Sequence, residues 1–166
     1  MSNVEIRAVK TGDEKTLAYI QTQSWKKAFC DILSKEELDR YTNIDKAEEM
    51  YIHLLRNNIG NGVLLSVYGK PHCIAFWDAT REPDMFGYAE LICIHSLQNN
   101  WGKGYGSIVM DYVTAEMQKT GFENVMLWVF EENHRARKFY EKHGFVLSEK
   151  SKKFNDAVEV MYWKAL

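Results

Sequence analysis

The chain has 166 residues, of which 46% are hydrophobic and 27% charged, and its formal net charge is −2. This length predicts one domain spanning residues 1–166, with enough apolar side chains for a sizeable core. The charge balance excludes the basic footprint of a nucleic-acid-binding protein, and no apolar stretch predicts a secretion signal or a membrane span. Cys30, Cys73 and Cys93 are odd in number and widely spaced. That pattern predicts reduced thiols, a cytoplasmic location and no metal site.

The first third of the chain predicts a strand followed by a helical layer. Val4–Ala8 alternates in hydrophobicity like a strand, and the next turn supplies cap chemistry for a helix from about Asp13 to Phe29. Ser34 begins a capping box, because an acidic residue follows it three positions later. A further helical stretch is predicted from Asp45 to about Asn57.

From Gly62 the hydrophobic period changes to that of strands. Val63–Tyr68 and His72–Trp77 are separated by turn residues and predict an antiparallel hairpin. Gly87–His95 predicts the next strand, and the charged run Asp78–Asp84 is the connecting loop. The middle of the chain therefore predicts three consecutive strands.

The second half alternates between helix and strand. An amphipathic helix follows residue 104 and ends near Gly121. Val125–Phe130 is a continuous apolar run, which is typical of a strand covered on both faces. Asn133 is a good N-cap for another helix, and Phe145–Leu147 and Val158–Trp163 predict the final strands. This order predicts an α/β (α+β) layout with a mixed sheet.

A glycine-rich loop precedes the first helix of this second half. The alternating glycines Gly102, Gly104 and Gly106 place backbone amides where the helix dipole favours an anion, and Lys103 and Ser107 add a charge and a hydroxyl. This pattern predicts a phosphate site. The alternative is a plain strand-to-helix turn that needs flexible residues.

The spacing of this loop excludes two other phosphate motifs. A Walker loop needs Gly-Lys-Ser/Thr, but Lys103 is followed by Gly104. A dinucleotide fingerprint needs Gly-x-Gly-x-x-Gly after the first strand of a βαβ unit, whereas this loop follows an antiparallel meander. Both ATP binding and NAD binding of those kinds are therefore disfavoured.

Two motifs together resemble the GNAT superfamily of N-acetyltransferases. The phosphate loop of that family, Gln/Arg-x-x-Gly-x-Gly/Ala, is matched by Gly104 and Gly106, with Trp101 at the position of Gln or Arg. The downstream pattern Asn-x-x-Ala-x-x-x-Tyr-x-x-x-Gly-Phe is matched at the following positions: Asn133, Ala136, Tyr140, Gly144 and Phe145. The order of elements over the whole chain also agrees with the family.

The resemblance implies a mixed, mostly antiparallel central sheet of about seven strands flanked by helices on both faces. It also implies acetyl-CoA as co-substrate, whose pantetheine arm lies like an added strand in a slot between two diverging strands. Trp101 would contribute through its backbone amide. The implied acetyl-CoA-binding residues are Ile94, His95, Ser96, Trp101, Gly102, Lys103, Gly104, Tyr105, Gly106, Ser107, Asn133 and Tyr140.

Acetyl transfer to an amine requires two proton transfers. An ammonium group with a pKa of about 10.4 must lose a proton, and a leaving thiolate must gain one. The resemblance implies Glu90 as the base, acting directly or through water, although a solvent-facing strand charge is the alternative reading. His95 is a second candidate base. Tyr140 matches the family's general acid, with a core aromatic residue as its alternative, and Asn133 serves equally as a helix N-cap.

These observations predict an acetyl-CoA-dependent N-acetyltransferase that acts by direct attack in a ternary complex. The acceptor is a primary amine on a small molecule or a protein, and Trp25 and Phe29 are candidates for its side of the site. A non-catalytic acyl-CoA sensor, or a transferase using another acyl-CoA or an O-acceptor, is the alternative. Neither nucleic acid nor a membrane is expected as a partner. A homodimer is common among proteins that resemble this one.

Overall fold

A computed structural model describes residues 3–166 of the chain, so that Met1 and Ser2 of the predicted domain lie outside the described residues. The elements follow the predicted order. In chain order they are β1 (Val4–Ala8), α1 (Glu14–Ala28), α2 (Lys35–Tyr41), α3 (Ile44–Arg56), β2 (Asn61–Val67), β3 (Lys70–Ala79), β4 (Tyr88–Ser96), α4 (Tyr105–Thr120), β5 (Asn124–Phe130), α5 (His134–Lys142), β6 (Val146–Phe154) and β7 (Ala157–Ala165).

The strands form one seven-stranded sheet in the order β1-β2-β3-β4-β5-β7-β6. All neighbours are antiparallel except β4 and β5, which are parallel. The parallel ladder pairs Tyr88–Glu90 with residues 124–126, and no later ladder pair joins these two strands within residues 3–166. The mixed, mostly antiparallel sheet is therefore confirmed, and it opens along the second half of β4.

Helices cover both faces of this sheet because the buried strands carry apolar side chains on both sides. On one face, α1 and α3 bury Leu17 and Tyr51 against Leu64 and Ile74. On the other, α4 lies over the neighbouring positions of the same strands, with Val113 fully buried. The flanking of the sheet by helices on both faces is confirmed.

Capping explains where several helices begin. The predicted capping box at Ser34 is present: the Glu37 amide donates to the Ser34 hydroxyl at 3.1 Å, and the Ser34 amide donates to the Glu37 carboxylate at 2.8 Å. Asn133 accepts from the amide of Ala136 at 3.2 Å, as predicted for an N-cap. Asp13 stands before α1 but its side chain does not cap the helix, because its carboxylate accepts from the Arg7 guanidinium at 2.8 and 3.0 Å instead.

One strand differs clearly from the sequence prediction. The segment predicted as Phe145–Leu147 is a nine-residue strand, β6, which runs to Phe154. It lies at the edge of the sheet and pairs with β7 alone, with an irregular register between Leu147 and Ser151. Most of its side chains are exposed, so that its polar sequence carries no alternation to recognise.

Candidate functional site

The opening between β4 and β5 holds two adjoining cavities. The larger measures about 600 Å³ and lies between β4, the glycine loop and α5. The smaller measures about 160 Å³ and is enclosed by α1, β4, β5 and the ends of β6 and β7. Both cavities are lined by one shared set of side chains: Ser24, Ile94, Arg135, Ala136 and Tyr140.

The glycine loop forms one wall of the larger cavity. Gly102 and Gly104 have φ angles of +76° and +86°, which only glycine adopts without strain. A Cβ built on either would meet no atom within 4 Å, so it would project into open space. Since α4 begins at Tyr105, the amides of its first turn have no carbonyl partner one turn earlier. The arrangement is a cradle for an anion.

Neighbouring side chains hold this loop in place. Lys103, which does not line the cavity, donates from Nζ to Oδ1 of the lining residue Asn100 at 3.0 Å. The Ser107 hydroxyl shares a hydrogen bond of 2.9 Å with His143 Nε2. A Cβ on Gly106 would come within 3.3 Å of the Phe139 ring, so glycine permits the close approach of α4 to α5.

Trp101 acts through its side chain in a way that the sequence did not indicate. Its indole Nε1 donates to the carbonyl of Ser96 at 3.0 Å, which ties the loop to the end of β4. The guanidinium carbon of Arg135 lies 3.5 Å from the centroid of the Trp101 ring, at cation–π distance. Burial lowers the pKa of Arg135 from its ordinary value. The pair therefore fixes a cation beside the larger cavity.

Aromatic rings dominate the smaller cavity. Trp25 of α1 and Phe29, the residue that follows this helix, line it, and their assignment to the acceptor side stays a prediction. They are joined there by Trp128, Phe130 and Phe154 from β5 and β6. His95 also lines this wall, and the ordinary pKa of a histidine side chain lies near neutrality.

His95 lies in the smaller cavity and is held neutral. Trp25 Nε1 is 3.4 Å from His95 Nε2, so the indole donates to the ring lone pair and the hydrogen sits on Nδ1. Burial lowers the pKa of His95 to about 4. A neutral ring whose lone pair is engaged is a poor proton acceptor at pH 7.

Glu159 is a site residue that the sequence analysis missed. It lies on β7 opposite Phe130, and its carboxylate lines the smaller cavity. Burial raises the pKa of Glu159, although Lys152 Nζ lies 3.9 Å away. Among residues 3–166 no group donates a hydrogen bond to this carboxylate, so its oxygens are free to accept one.

Tyr140 lies where the two cavities meet. Its side chain is 8% exposed and packs against the rings of Phe139 and Phe145. Burial raises the pKa of Tyr140 well above its ordinary value of about 10, so the phenol stays protonated at neutral pH. No residue of the described chain hydrogen-bonds to the Tyr140 hydroxyl, which leaves that proton available.

Glu90 lies apart from these groups. It is 1% exposed and lines neither cavity. Its two carboxylate oxygens accept from Arg81 Nε and Nη2 at 2.9 and 3.0 Å, and the Arg81 amide donates at 3.3 Å. The pair joins β4 to the loop after β3. The alternative reading of Glu90 as a solvent-facing charge is wrong, because the carboxylate is buried.

The structure thus gathers most of the predicted residues around the two cavities. His95 and Asn133 line the smaller one, whereas Lys103 and Glu90 line neither. The predicted residues that line the larger cavity are Ile94, Ser96, Trp101, Gly102, Gly104, Tyr105, Gly106, Ser107 and Tyr140.

The described residues hold neither a metal-binding cluster nor a membrane-spanning helix. Within residues 3–166 no group of three or more His, Cys, Asp or Glu side chains is placed to hold a metal ion. In the same range no helix has the length and hydrophobicity needed to cross a bilayer.

Solved structures share this fold at low sequence identity. The PaiA N-acetyltransferase of Thermoplasma acidophilum, in complex with coenzyme A, is 20% identical with a TM-score of 0.81, and 100% of both chains is covered. A GCN5-related N-acetyltransferase of Rhodopseudomonas palustris is 17% identical with a TM-score of 0.78, covering 100% of this chain and 98% of that one. YncA of Salmonella typhimurium, with its cofactor acetyl-CoA, is 16% identical with a TM-score of 0.75, covering 99% and 94%. The fold is that of the GNAT N-acetyltransferases.

The sequence places the chain within that class. The family model of the acetyltransferase (GNAT) family matches residues 23–145, more than half of the chain. The chain therefore belongs to the GNAT acetyltransferase family. No curated protein sequence is significantly similar to it. The matched range contains the glycine loop, Asn133 and Tyr140, and it ends before Glu159.

Proposed function

We propose that this protein is an acetyl-CoA-dependent N-acetyltransferase that acetylates a primary amine by direct attack in a ternary complex. The observation that carries the proposal is the position of Tyr140, whose protonated phenol lies where the larger cavity beside the glycine loop meets the smaller, aromatic cavity. Two adjoining cavities suit two substrates, and the junction is where a group must pass from one to the other. When bound, acetyl-CoA supplies the thioester-linked acetyl group.

The residues around the larger cavity fit that co-substrate. The amides at the start of α4 and the open space beside Gly102 and Gly104 suit a pyrophosphate. Beyond Glu90 the edge of β4 that faces β5 has no strand partner among residues 3–166, so the backbone near Ile94 and Ser96 suits an extended arm. The Ser96 carbonyl already accepts from Trp101, which leaves its second lone pair for a ligand.

The two proton transfers are assigned to different side chains. We assign Tyr140 as the acid that protonates the leaving thiolate, since its phenol stays neutral at pH 7. Glu90 as the base stays a prediction, and because it lines neither cavity it would act through water. Burial raises the pKa of the Cys93 thiol to about 12. A thiol that stays protonated is a weak nucleophile, which supports direct attack by the amine over an acyl-cysteine route.

The proposal is tested by calorimetric titration with acetyl-CoA, followed by thiol release across a panel of primary amines. We expect micromolar to sub-millimolar binding and thiol release that depends on the amine. Absence of binding at millimolar acetyl-CoA contradicts the proposal. Binding without turnover on any amine, or tighter binding of a longer acyl-CoA, favours the sensor or the other acyl-CoA transferase. The single domain, the cytoplasmic location and the homodimer stay predictions.

The glycine loop supplies a prediction on affinity. Gly104→Ala places a Cβ on a residue with φ of +86°, which costs about 1–2 kcal/mol and opens a competing loop conformation. We expect acetyl-CoA to bind about 5–30-fold more weakly, measured by calorimetry. The matched control is Gly121→Ala at the other end of α4, where φ is +102°. That variant should lose similar stability and keep its affinity, and equal affinity losses in both would contradict a specific role for the loop.

A further inference from the structure

We propose that the smaller cavity binds a primary ammonium group carried on a flat apolar body, so that the acceptor is an arylalkylamine-type small molecule. This inference rests on the proposed function and narrows its acceptor. Three features of the cavity support it: its aromatic walls, its volume and the Glu159 carboxylate.

The walls are aromatic and mutually supported. The Phe29 ring packs edge-on against Trp25 at 5.0 Å and against Phe130 at 4.9 Å, measured between ring centroids. The Phe130 ring in turn meets Phe154 at 5.5 Å. These rings come from α1 with its C-terminal end, β5 and β6, so their contacts link three elements of the cavity wall. A wall of this kind offers ring edges and faces to an apolar body.

The volume of the cavity matches the size of one aromatic ring. It measures about 160 Å³, and an apolar cavity of about 150 Å³ holds one benzene molecule. One ring with a short arm therefore fills it. Small side chains on α1, Ser24 and Ala28, complete the lining where larger ones would close the space.

The Glu159 carboxylate favours an acceptor that carries a positive charge. Among the described residues that line this cavity, Glu159 is the carboxylate and Arg135 the cation. Arg135 is held against Trp101, whereas the Glu159 carboxylate has no hydrogen-bond donor within residues 3–166. Lys152 Nζ forms a long ion pair with this carboxylate at 3.9 Å, which is beyond hydrogen-bond distance. A half-buried carboxylate without a donor, beside aromatic rings, favours an ammonium group by both ion pairing and cation–π attraction.

The surroundings disfavour a polyamine. A chain with several cations needs several carboxylates in a row, but Glu159 is the one carboxylate among the described residues that line the cavity. Lys152 lies between Glu82, at 3.8 Å, and Glu159, and Lys150 pairs with Asp84. The ammonium of Lys152 also lies 4.2 Å from the centroid of the Trp128 ring. One further cation can therefore be accommodated at Glu159, but not a series of them.

Steady-state kinetics with acetyl-CoA test this inference on the full-length protein. The acceptors are 2-phenylethylamine, 2-cyclohexylethylamine, spermidine and a lysine-containing peptide. We expect kcat/KM for 2-phenylethylamine to exceed that for spermidine and for the peptide by at least tenfold, with 2-cyclohexylethylamine between them. Equal or greater kcat/KM for spermidine or the peptide overturns the inference, as does an absence of turnover on 2-phenylethylamine.

Two variants locate the effect in the cavity. Glu159→Gln should raise KM for 2-phenylethylamine at least tenfold with little change in acetyl-CoA affinity, whereas Glu149→Gln, an exposed acid on β6, should leave both unchanged. Phe154→Leu should lower kcat/KM for 2-phenylethylamine more than for 2-cyclohexylethylamine. If Glu159→Gln does not fold, the kinetics of Phe154→Leu still test the inference of an aromatic acceptor. Unchanged KM in a folded Glu159→Gln protein overturns the inference. If the unaltered protein does not bind acetyl-CoA, the proposed function is refuted instead.

Discussion

Replacing Tyr140 by Phe is expected to lower kcat about 10²–10⁴-fold, the usual contribution of a positioned general acid or base. The physical reason is that the thiolate would leave without a proton donor at the junction of the two cavities. The hydroxyl has no hydrogen-bond partner among residues 3–166, so its removal leaves no buried polar group unsatisfied. The ring contacts with Phe139 and Phe145 remain. We therefore expect kcat to fall while KM for acetyl-CoA and the melting temperature stay close to their original values.

Rapid-quench or continuous thiol-release assays measure this effect, and Tyr112→Phe is the matched control. Tyr112 lies on α4 and lines neither cavity at the β4–β5 opening, so its hydroxyl should be dispensable. Burial raises the pKa of Tyr140, which keeps the acid protonated. For the unaltered enzyme, kcat should accordingly not decline between pH 7 and about pH 10 through loss of this proton. A tenfold or smaller loss in Tyr140→Phe would show that water protonates the thiolate adequately.

The fold was predictable wherever an element carries a clear period or a cap. The apolar run of β5 and the capping box at Ser34 are local signals, and the structure follows them. β6 was predicted too short because residues 148–153 are polar and lie at the sheet edge, where neither face is buried enough to impose alternation. The missing information was the position of the strand in the sheet, which its own sequence does not carry.

The candidate site likewise contains residues that the sequence could predict and residues that it could not. Residues within one local motif, such as Gly104 and Tyr140, were predictable because the motif fixes their mutual spacing. The smaller cavity joins positions as distant as Trp25 and Glu159, which only the fold brings together. One signal for Glu159 was present: it is an acid between Val158 and Val160 in the otherwise apolar run Val158–Trp163. Nothing in the local sequence shows that Arg135 lies on the Trp101 ring, because the fold brings these two residues together.

The ion pair between Arg81 and Glu90 provides a test of the predicted base. Arg81→Met would leave the buried Glu90 carboxylate without its guanidinium, which costs about 3 kcal/mol, the lower end for breaking a buried pair because Arg81 is largely exposed. Since 1 kcal/mol shifts the melting temperature of a domain of this size by about 2–4 °C, we expect a fall of about 6–12 °C. Glu90→Gln leaves no unpaired buried charge and should cost less. Thermal denaturation of both variants and of the double variant measures the coupling.

Activity of the same variants separates the two roles of Glu90. If Glu90 only anchors the loop after β3, the residual kcat of each folded variant should follow its loss of stability, and Arg81→Met should be the slower enzyme. If Glu90 accepts the amine proton through water, Glu90→Gln should lose about 10²-fold in kcat despite its smaller loss of stability. Arg81→Met, which keeps the carboxylate, would retain more activity. The first outcome would leave Glu159 as the carboxylate in contact with the acceptor cavity, and the proton would then leave by way of β7 rather than β4.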